Sequence, residues 1–503
     1  MPATDFDLIV IGGGINGAGI ARDAQGRGLR VLLVEQDDLA QHTSSASTKL
    51  IHGGLRYLEY YEFRLVRKAL QEREVLLRAA PHIIRPMRFV MPHDQSMRPE
   101  WLIRAGLFLY DRLSKRELLP GSETVQLSTH PAGPPLREQY HKGFVYSDGW
   151  VDDARLVVLN ALDARERGAT ILTRTCCVGA ERLSDRWQIR LRDQISGVVS
   201  IVSARALVNA AGPWVASLLR QELNVQSSHA LRLVKGSHII VPKLFDHAYA
   251  YIFQNPDRRI IFAIPYERDF TLIGTTDIEY RGDPAKVVIN DDEVRYLCEM
   301  ANRYFRKMVE PADVVRTYSG VRPLLDDTAT NAASVTRDYW LELNTSGGAP
   351  VLSVFGGKIT TYRRLAEEAL ESLLDALKMP AHCWTALAPL PGGDIPGGDF
   401  ERFLAAVRIR YSWLPEATLY RLAHAYGTRI HGVLCNAQSV AELGEEIFPG
   451  FYLAELQYLC DEEWAQTTDD ILWRRTKLGL RVTEDGQKAL MRSVDFMKRS
   501  NPA

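Results

Sequence analysis

The 503-residue sequence is short of cysteine, has almost no net charge and contains no long apolar run, and each shortage excludes something. Its six cysteines include the adjacent pair Cys176 and Cys177 and form no C-x-x-C. That argues against a disulfide framework or a zinc site and fits a reducing compartment, so no metal is expected. A formal net charge of −1 leaves no global basic field for nucleic acid, and any phosphate or membrane contact must come from local patches. No segment approaches the ~20 apolar residues of a spanning helix. The N-terminus has no basic region and no apolar core of signal-peptide length. The expectation is a cytosolic chain or one attached to a membrane surface. There is no internal repeat or low-complexity tract. What is present, 46% hydrophobic and 24% charged residues, is a globular composition with length for about three domains.

The stretch that organises the chain is Asp7 to Gln36, DLIVIGGGINGAGIARDAQGRGLRVLLVEQ. Leu8–Ile11 reads as a buried parallel strand ended by glycines, and Gly12, Gly14 and Gly17 have the spacing G-x-G-x-x-G. A helix follows, Gly26 and Gly28 mark its exit, and Val31–Val34 is a second buried strand closed by Glu35. This strand–helix–strand unit has the size of a dinucleotide-binding motif. Gly12 makes the sharp turn, Gly14 has no Cβ to block a pyrophosphate, and Gly17 lets helix and strand pack closely. The helix N-terminus offers N–H groups to phosphates, and Glu35 can accept hydrogen bonds from an adenosine ribose.

A polar loop of rare density follows: Thr43, Ser44, Ser45, Ser47, Thr48, Lys49, His52, Gly53, Gly54, Arg56 and Tyr57, with apolar anchors between them. Glu62 to Ala79 reads as a charged amphipathic helix. Trp101–Arg116 mixes Trp, Phe and Tyr with basic residues, a pattern shared by a membrane-interface helix and by a core helix with a cationic outer face. Asp152 or Asp153 starts a helix that Gly168 ends; Thr170–Thr175 is a strand, and Trp187–Arg192 with Val198–Val202 a hairpin. The buried strand Ala206–Val208 leads into NAAGPWV. Arg232–Tyr280 reads as four strands of an antiparallel sheet with Gly236 and Gly274 as turns. Thr317–Leu324, TYSGVRPL, is expected in a loop, and TRDYWLEL supplies a further strand. Ser353–Leu377 repeats strand, Gly-Gly turn and helix. Leu390–Asp399, LPGGDIPGGD, has the composition of a linker, and the remainder reads as helical without a trusted strand.

Three glycine turns, at Gly12–Gly17, Gly212 and Gly356–Gly357, each follow a buried strand and precede a helix. Together they resemble the FAD-dependent fold of the D-amino-acid oxidase and glycine oxidase class. More narrowly, SSASTKLIHGGLRYLE, VNAAGPW, KGSHI, IGTTD, YSGVRPL and SVFGGKITTYR are similar to the FAD-dependent glycerol-3-phosphate dehydrogenases over essentially the whole chain. The fold class implied is α/β: a Rossmann-like FAD-binding domain (about 1–80, 146–220 and 345–388), with inserted substrate- and membrane-facing segments (about 81–145 and 221–344). A C-terminal all-helical domain spans 389–503.

The resemblance implies oxidation of sn-glycerol 3-phosphate to dihydroxyacetone phosphate by hydride transfer to FAD. It also implies electron delivery to membrane quinone, a cytoplasmic protein on the inner-membrane surface, and a homodimer. Arg56 and Arg322 match the family's arginines at the substrate, with Tyr57 and Thr275 as hydroxyl donors. A guanidinium fork suits phosphate oxygens. His52 is the first candidate for the general base and His238 the second, Arg322 sharing the task by lowering the substrate hydroxyl's pKa. Lys358 would bring positive charge to the flavin or the phosphate. The cofactor contacts implied are Gly12, Gly14, Ile15, Asn16, Gly17, Glu35, Ser44, Ser45, Ser47, Lys49, Leu50, Gly212, Trp214, Gly356, Gly357, Lys358 and Thr360. An oxygen-using glycerol-3-phosphate oxidase and an amino-acid or amine oxidase of the same fold stand as alternatives. A non-catalytic flavin sensor would not need His52, Arg56 and Arg322 together.

Overall fold

The structure, a computed structural model, describes residues 4–500 apart from 95–96, 228, 258, 326–337 and 381. Its nucleotide-binding part is built on strands that have no polar face. Leu8–Ile11, Val31–Val34, Ala206–Asn209 and Val351–Phe355 are buried throughout, as a sheet covered on both sides requires. The sheet runs Trp340–Asn344, Val351–Phe355, Val199–Asn209, Thr4–Ile11, Val31–Val34, Thr170–Leu172. Along this path all neighbours are parallel except the outermost pair at the Trp340 edge; off it, Trp187–Asp193 pairs antiparallel with both Val199–Asn209 and Thr175–Arg182. Ile11 lies beside both Val34 and Asn209, and Asn209 beside Ser353. The register therefore brings the three glycine turns to one edge, the carboxyl ends of the strands, where nucleotides bind in such sheets. Helices Ile15–Gly26, Asp153–Glu166 and Tyr362–Ala376 pack over this sheet through Ile20, Leu159, Leu365 and Leu370. Asp152 caps the second of them by accepting the Arg155 N–H, and Gly168 stands just past its end.

A second sheet stands beside the first. Its path is Ile278–Glu279, Leu231–Pro242, Phe270–Gly274, Ile260–Tyr266, Ala250–Gln254, Ile84–His93, Lys142–Val151, Leu50–Ile51. It is antiparallel except where Ala250–Gln254 meets Ile84–His93, a parallel pair that the sequence did not announce. Arg316–Leu325 pairs with Leu231–Ile240 over ten residues. This corrects the loop expected at Thr317–Leu324: the ladder partner lies far back in the chain, and Gly320 faces Gly236, so the sequence has no alternation there to read. Nor are Gly236 and Gly274 turns; both lie in strands. A Cβ on Gly236 would overlap the Arg322 guanidinium and one on Gly274 the His238 ring, so these glycines make room for side chains. Thr170–Thr175 is divided into Thr170–Leu172 and the start of Thr175–Arg182, and Val198–Val208 is one strand, Val199–Asn209. Of TRDYWLEL, Thr336 and Arg337 lie outside the described residues and the strand begins at Trp340.

Glu62 to Ala79 is helical from Phe63. The Trp101 stretch is a helix over Glu100–Arg112. Ile103, Leu107 and Tyr110 are buried, whereas Trp101 is 71% and Phe108 58% exposed, with Leu102 and Leu109 exposed beside them. The C-terminal part packs helices Phe400–Arg410, Glu416–Tyr426, Leu453–Glu463 and Glu484–Ser500 around Leu422, Tyr426, Phe451 and Leu459. It also holds a small antiparallel hairpin, Glu446–Phe448 with Phe451–Tyr452, against the all-helical expectation. The Gly/Pro-rich 390–399 segment is packed down rather than loose. Leu390 N–H donates to the Ala79 carbonyl (2.8 Å) and Thr428 N–H to that of Gly392 (3.1 Å).

Candidate active site

At the first glycine turn Gly12 adopts φ +113°, a conformation that favours glycine, and a Cβ on Gly17 would strike the Gly12 carbonyl. Gly14 faces the hydroxyl-rich loop: the Ile15 N–H donates to Ser44 Oγ at 3.0 Å. Glu35 is buried at the end of its strand and accepts the N–H groups of Gly13 (2.6 Å) and Asp37 (2.9 Å). Burial raises its pKa against those two bonds. Asn16 reaches across to the third turn and donates to the Gly356 carbonyl at 3.1 Å. The three turns line a groove that starts at Glu35, His42 and Cys176. It passes Gly12, Gly14, Ser44, Gly212 and Trp214, and continues between Asn16, Ser47, Leu50 and Gly356–Thr360.

Beyond the third turn the groove widens against the second sheet, and here it is lined, among the described residues, by four cations, Arg56, Arg259, Arg322 and Lys358, with His52 and one carboxylate, Asp277. The Arg322 Nη1 is ion-paired to Asp277, and its Nη2 donates to Thr275 Oγ1 at 3.1 Å. The Thr275 hydroxyl itself donates to the Thr276 carbonyl (3.1 Å), which leaves its oxygen to accept from and orient Arg322. The Lys358 ammonium sits 3.9 Å from the Tyr57 ring centroid, a cation–π contact. Arg56 bonds the Tyr60 hydroxyl at 3.3 Å on the outer rim. The His52 backbone N–H donates to Thr360 Oγ1 at 3.2 Å, joining the polar loop to the third turn.

Residues 7–363 match the family model described as FAD dependent oxidoreductase, and residues 383–501 the one described as C-terminal domain of alpha-glycerophosphate oxidase. A glycerol-3-phosphate dehydrogenase of Pseudomonas aeruginosa is 54% identical over 96% of this chain and 94% of its own length. The chain belongs to the FAD-dependent glycerol-3-phosphate dehydrogenase family. A D-erythritol 1-phosphate dehydrogenase of Brucella abortus is 53% identical, with 97% of each chain covered. The structure of a Bacillus halodurans glycerol-3-phosphate dehydrogenase complexed with FAD superimposes with a TM-score of 0.81. It covers 99% of this chain and 92% of that one at 29% identity.

FAD is the cofactor of this family member, and the groove has the features an extended dinucleotide needs. Asn16 Oδ1 is buried without a hydrogen-bond partner among the described residues, and the walls at Gly12, Gly14 and Gly357 are bare of side chains. Several expected contacts face elsewhere. Ser45 Oγ donates to the His42 carbonyl (3.3 Å), and the Lys49 ammonium is buried on Asp153 (2.7 Å); Ser47 also donates its hydroxyl to Asp153 (2.7 Å) but stays in the groove wall. These residues shape the loop. Gly17 likewise acts through packing. His238 is not brought to the groove: it is buried, stacked on Tyr318 at 4.7 Å, with Nε2 3.0 Å from Thr48 Oγ1. Burial, then the fields of Arg322 and Lys49, hold its pKa far below the ordinary value. Asp277, which closes the IGTTD string, and Arg259, just before the strand at Ile260, carry no mark in the sequence that sets them apart from surface charges. The same holds for His42, whose Nε2 lies 2.8 Å from Asp37 and whose ring packs edge-on against Trp214.

Proposed function

We propose that the chain oxidises sn-glycerol 3-phosphate to dihydroxyacetone phosphate and passes the electrons to membrane quinone. The observation that carries this reading is the excess of positive charge among the described residues, four cations against one carboxylate, around a histidine at the flavin end of the groove. A phosphate dianion is matched by such a set, and a lone carboxylate substrate would need less. Arg56 and Lys358 bind the phosphate, and Arg322, held by Asp277 and Thr275, is oriented towards the reacting hydroxyl. His52 accepts the hydroxyl proton, and Tyr57 keeps Lys358 in place. Bound FAD supplies the hydride acceptor. The cofactor is held by the turns at Gly12–Gly17, Gly212–Trp214 and Gly356–Lys358, with Glu35 at the ribose and Ser44, Ser47, Leu50 and Thr360 along its length. A second reading, D-erythritol 1-phosphate as substrate, rests on the Brucella abortus relative, which is as similar as the glycerol-3-phosphate dehydrogenases.

No helix among the described residues is long and apolar enough to cross a membrane. The membrane surface is reached by the helix Glu100–Arg112, whose exposed Trp101, Leu102, Phe108 and Leu109 lie among Arg104 and Arg112; a homodimer completes the reading. The test is anaerobic. Flavin absorbance is followed on adding sn-glycerol 3-phosphate and, separately, D-erythritol 1-phosphate, and reoxidation is then followed with a quinone analogue or with air. Bleaching by glycerol phosphate and fast return only with quinone is the expected result. Preferential bleaching by erythritol phosphate would establish the second reading, and fast return in air would make the protein an oxidase.

A further inference from the structure

We infer that the C-terminal domain is a working part of the FAD site: Arg474 and Arg475 clamp Asp38, and the clamp sets the shape of the adenosine end of the groove. The chain from Glu35 to Ser44 forms one wall of that end. Its backbone is tied to the sheet at Glu35, whose N–H donates to the Leu172 carbonyl (2.8 Å). It is tied to the first turn at Ala40, whose N–H donates to the Gly13 carbonyl (3.2 Å). Between these points the chain turns at Asp38, whose carboxylate is fully buried. Arg475 meets it as a fork, Nη1 to Oδ2 and Nη2 to Oδ1, both at 2.8 Å, and Arg474 Nε adds a third bond at 2.6 Å. These donors lie 436 and 437 positions away in the sequence.

The clamp is itself braced. Arg475 also donates to the Glu463 carbonyl at 2.6 and 3.2 Å. Asp470 receives both Arg474 and Arg174, and the Arg174 N–H donates to the Asp37 carbonyl at 2.8 Å. The same C-terminal segment fastens the opposite wall. Lys477 bonds Asp152 at 2.9 Å. The adjacent Asp153 holds Ser47 and Lys49 of the polar loop.

A buried carboxylate that loses its guanidinium partners is left uncompensated, and relief requires the corner to open towards water. Opening moves Gln36 to Thr43 and with them Glu35, so the binding surface for the adenosine half is lost. Coupling of this kind is reciprocal. Whatever affinity for FAD the clamp supplies, FAD returns as tighter docking of the C-terminal domain. The inference rests on FAD as the cofactor and is independent of the substrate.

The test uses flavin-free protein prepared from the holoenzyme and titrated with FAD by fluorescence quenching. Variants are Asp38→Asn, Arg474→Gln and, as a control, Arg421→Gln, which breaks an ion pair with Glu455 (2.6 Å) lying inside the C-terminal domain. Asp38→Asn should weaken FAD binding at least tenfold and Arg474→Gln severalfold, with Arg421→Gln within twofold of the parent even if it melts earlier. Should Asp38→Asn not fold, Arg474→Gln, which leaves the Arg475 fork in place, carries the comparison. In the parent protein, trypsin should cut between Asp470 and Lys477 faster without FAD than with it. Clamp variants that bind FAD as the parent does, a control that weakens it equally, or cleavage indifferent to FAD would each overturn the inference.

Discussion

The Arg322 fork reaches the groove only because Gly236 leaves it room, a Cβ there falling within the guanidinium and 2.8 Å from Thr275 Oγ1. Gly236→Ala must therefore push Arg322 aside while leaving every glycine turn of the cofactor groove intact. The expected outcome is a KM for glycerol 3-phosphate raised about tenfold to a hundredfold, the size of effect that follows small misplacement of a positioning group, with flavin content unchanged. Steady-state kinetics and the flavin-to-protein absorbance ratio of the same preparation check it. An unchanged KM would show that Arg322 does not touch the substrate phosphate or hydroxyl. A variant that loses flavin as well would show that the strand as a whole has moved.

The helix Glu100–Arg112 shows how far an element can be read from sequence. Its turn-spaced Ile103, Leu107 and Tyr110 bury one stripe, and the sequence could not say whether Trp101 and Phe108 joined that stripe or faced away from it. Three-dimensional context settles it: Trp101 and Phe108 face outwards, and Arg112 lies 3.7 Å from the Phe108 ring centroid. Replacing both aromatics by Ser should weaken binding to anionic liposomes by about tenfold or more, since each apolar side chain that enters the interface contributes about 1.5–3 kcal/mol. Sedimentation with vesicles measures it, and the bleaching of flavin by substrate should be unaffected. Elsewhere legibility followed the range of the interaction. Gly12–Gly17, Val31–Val34 and the strand Val351–Phe355 were legible because turn, strand and helix signals are local. The strand Arg316–Leu325 was not, because its ladder partner is remote and its glycines mimic a turn. Asp38 was invisible for the same reason, since an aspartate after a strand carries no mark of two arginines at the other end of the chain. The burial of the Lys49 ammonium on Asp153 was not legible either, because that partner lies 104 positions further along the chain.

At the scale of the whole molecule, two histidines sit in the seam between the nucleotide-binding part and the C-terminal domain. His82 is buried, and neither ring nitrogen has a hydrogen-bond partner among the described residues; His424 Nδ1 lies 3.1 Å from the His82 carbonyl. Burial, with Arg155 and His424 beside it, pushes the His82 pKa down to about 3. Burial, with Arg85 and Arg268, brings His424 to about 4. Both are neutral in the folded state, while their unfolded counterparts take up a proton near pH 6.5. Between that pH and the folded values the unfolded chain binds more protons, so stability falls as the solution is acidified. The slope is about 1.4 kcal/mol per pH unit for each fully neutral histidine. The clamp does not offset this loss. Burial opposes ionisation of Asp470, yet Arg174 and Arg474 hold its pKa at about 2; its contribution is complete above the ordinary carboxylate value and is lost only as pH falls through about 2. Thermal unfolding of the holoenzyme at constant ionic strength should show a midpoint that is steady above pH 7 and drops steadily from pH 6.5 to 4.5. His82→Leu removes one titration, and neither ring nitrogen it deletes has a hydrogen-bond partner among the described residues, so its curve should run shallower below pH 6.5. The slope will not vanish, because His424 and the half-buried His247, also pushed to about 4, carry the same sign. Parallel curves for parent and variant would remove His82 as a source of acid sensitivity and leave that role to His424 and His247.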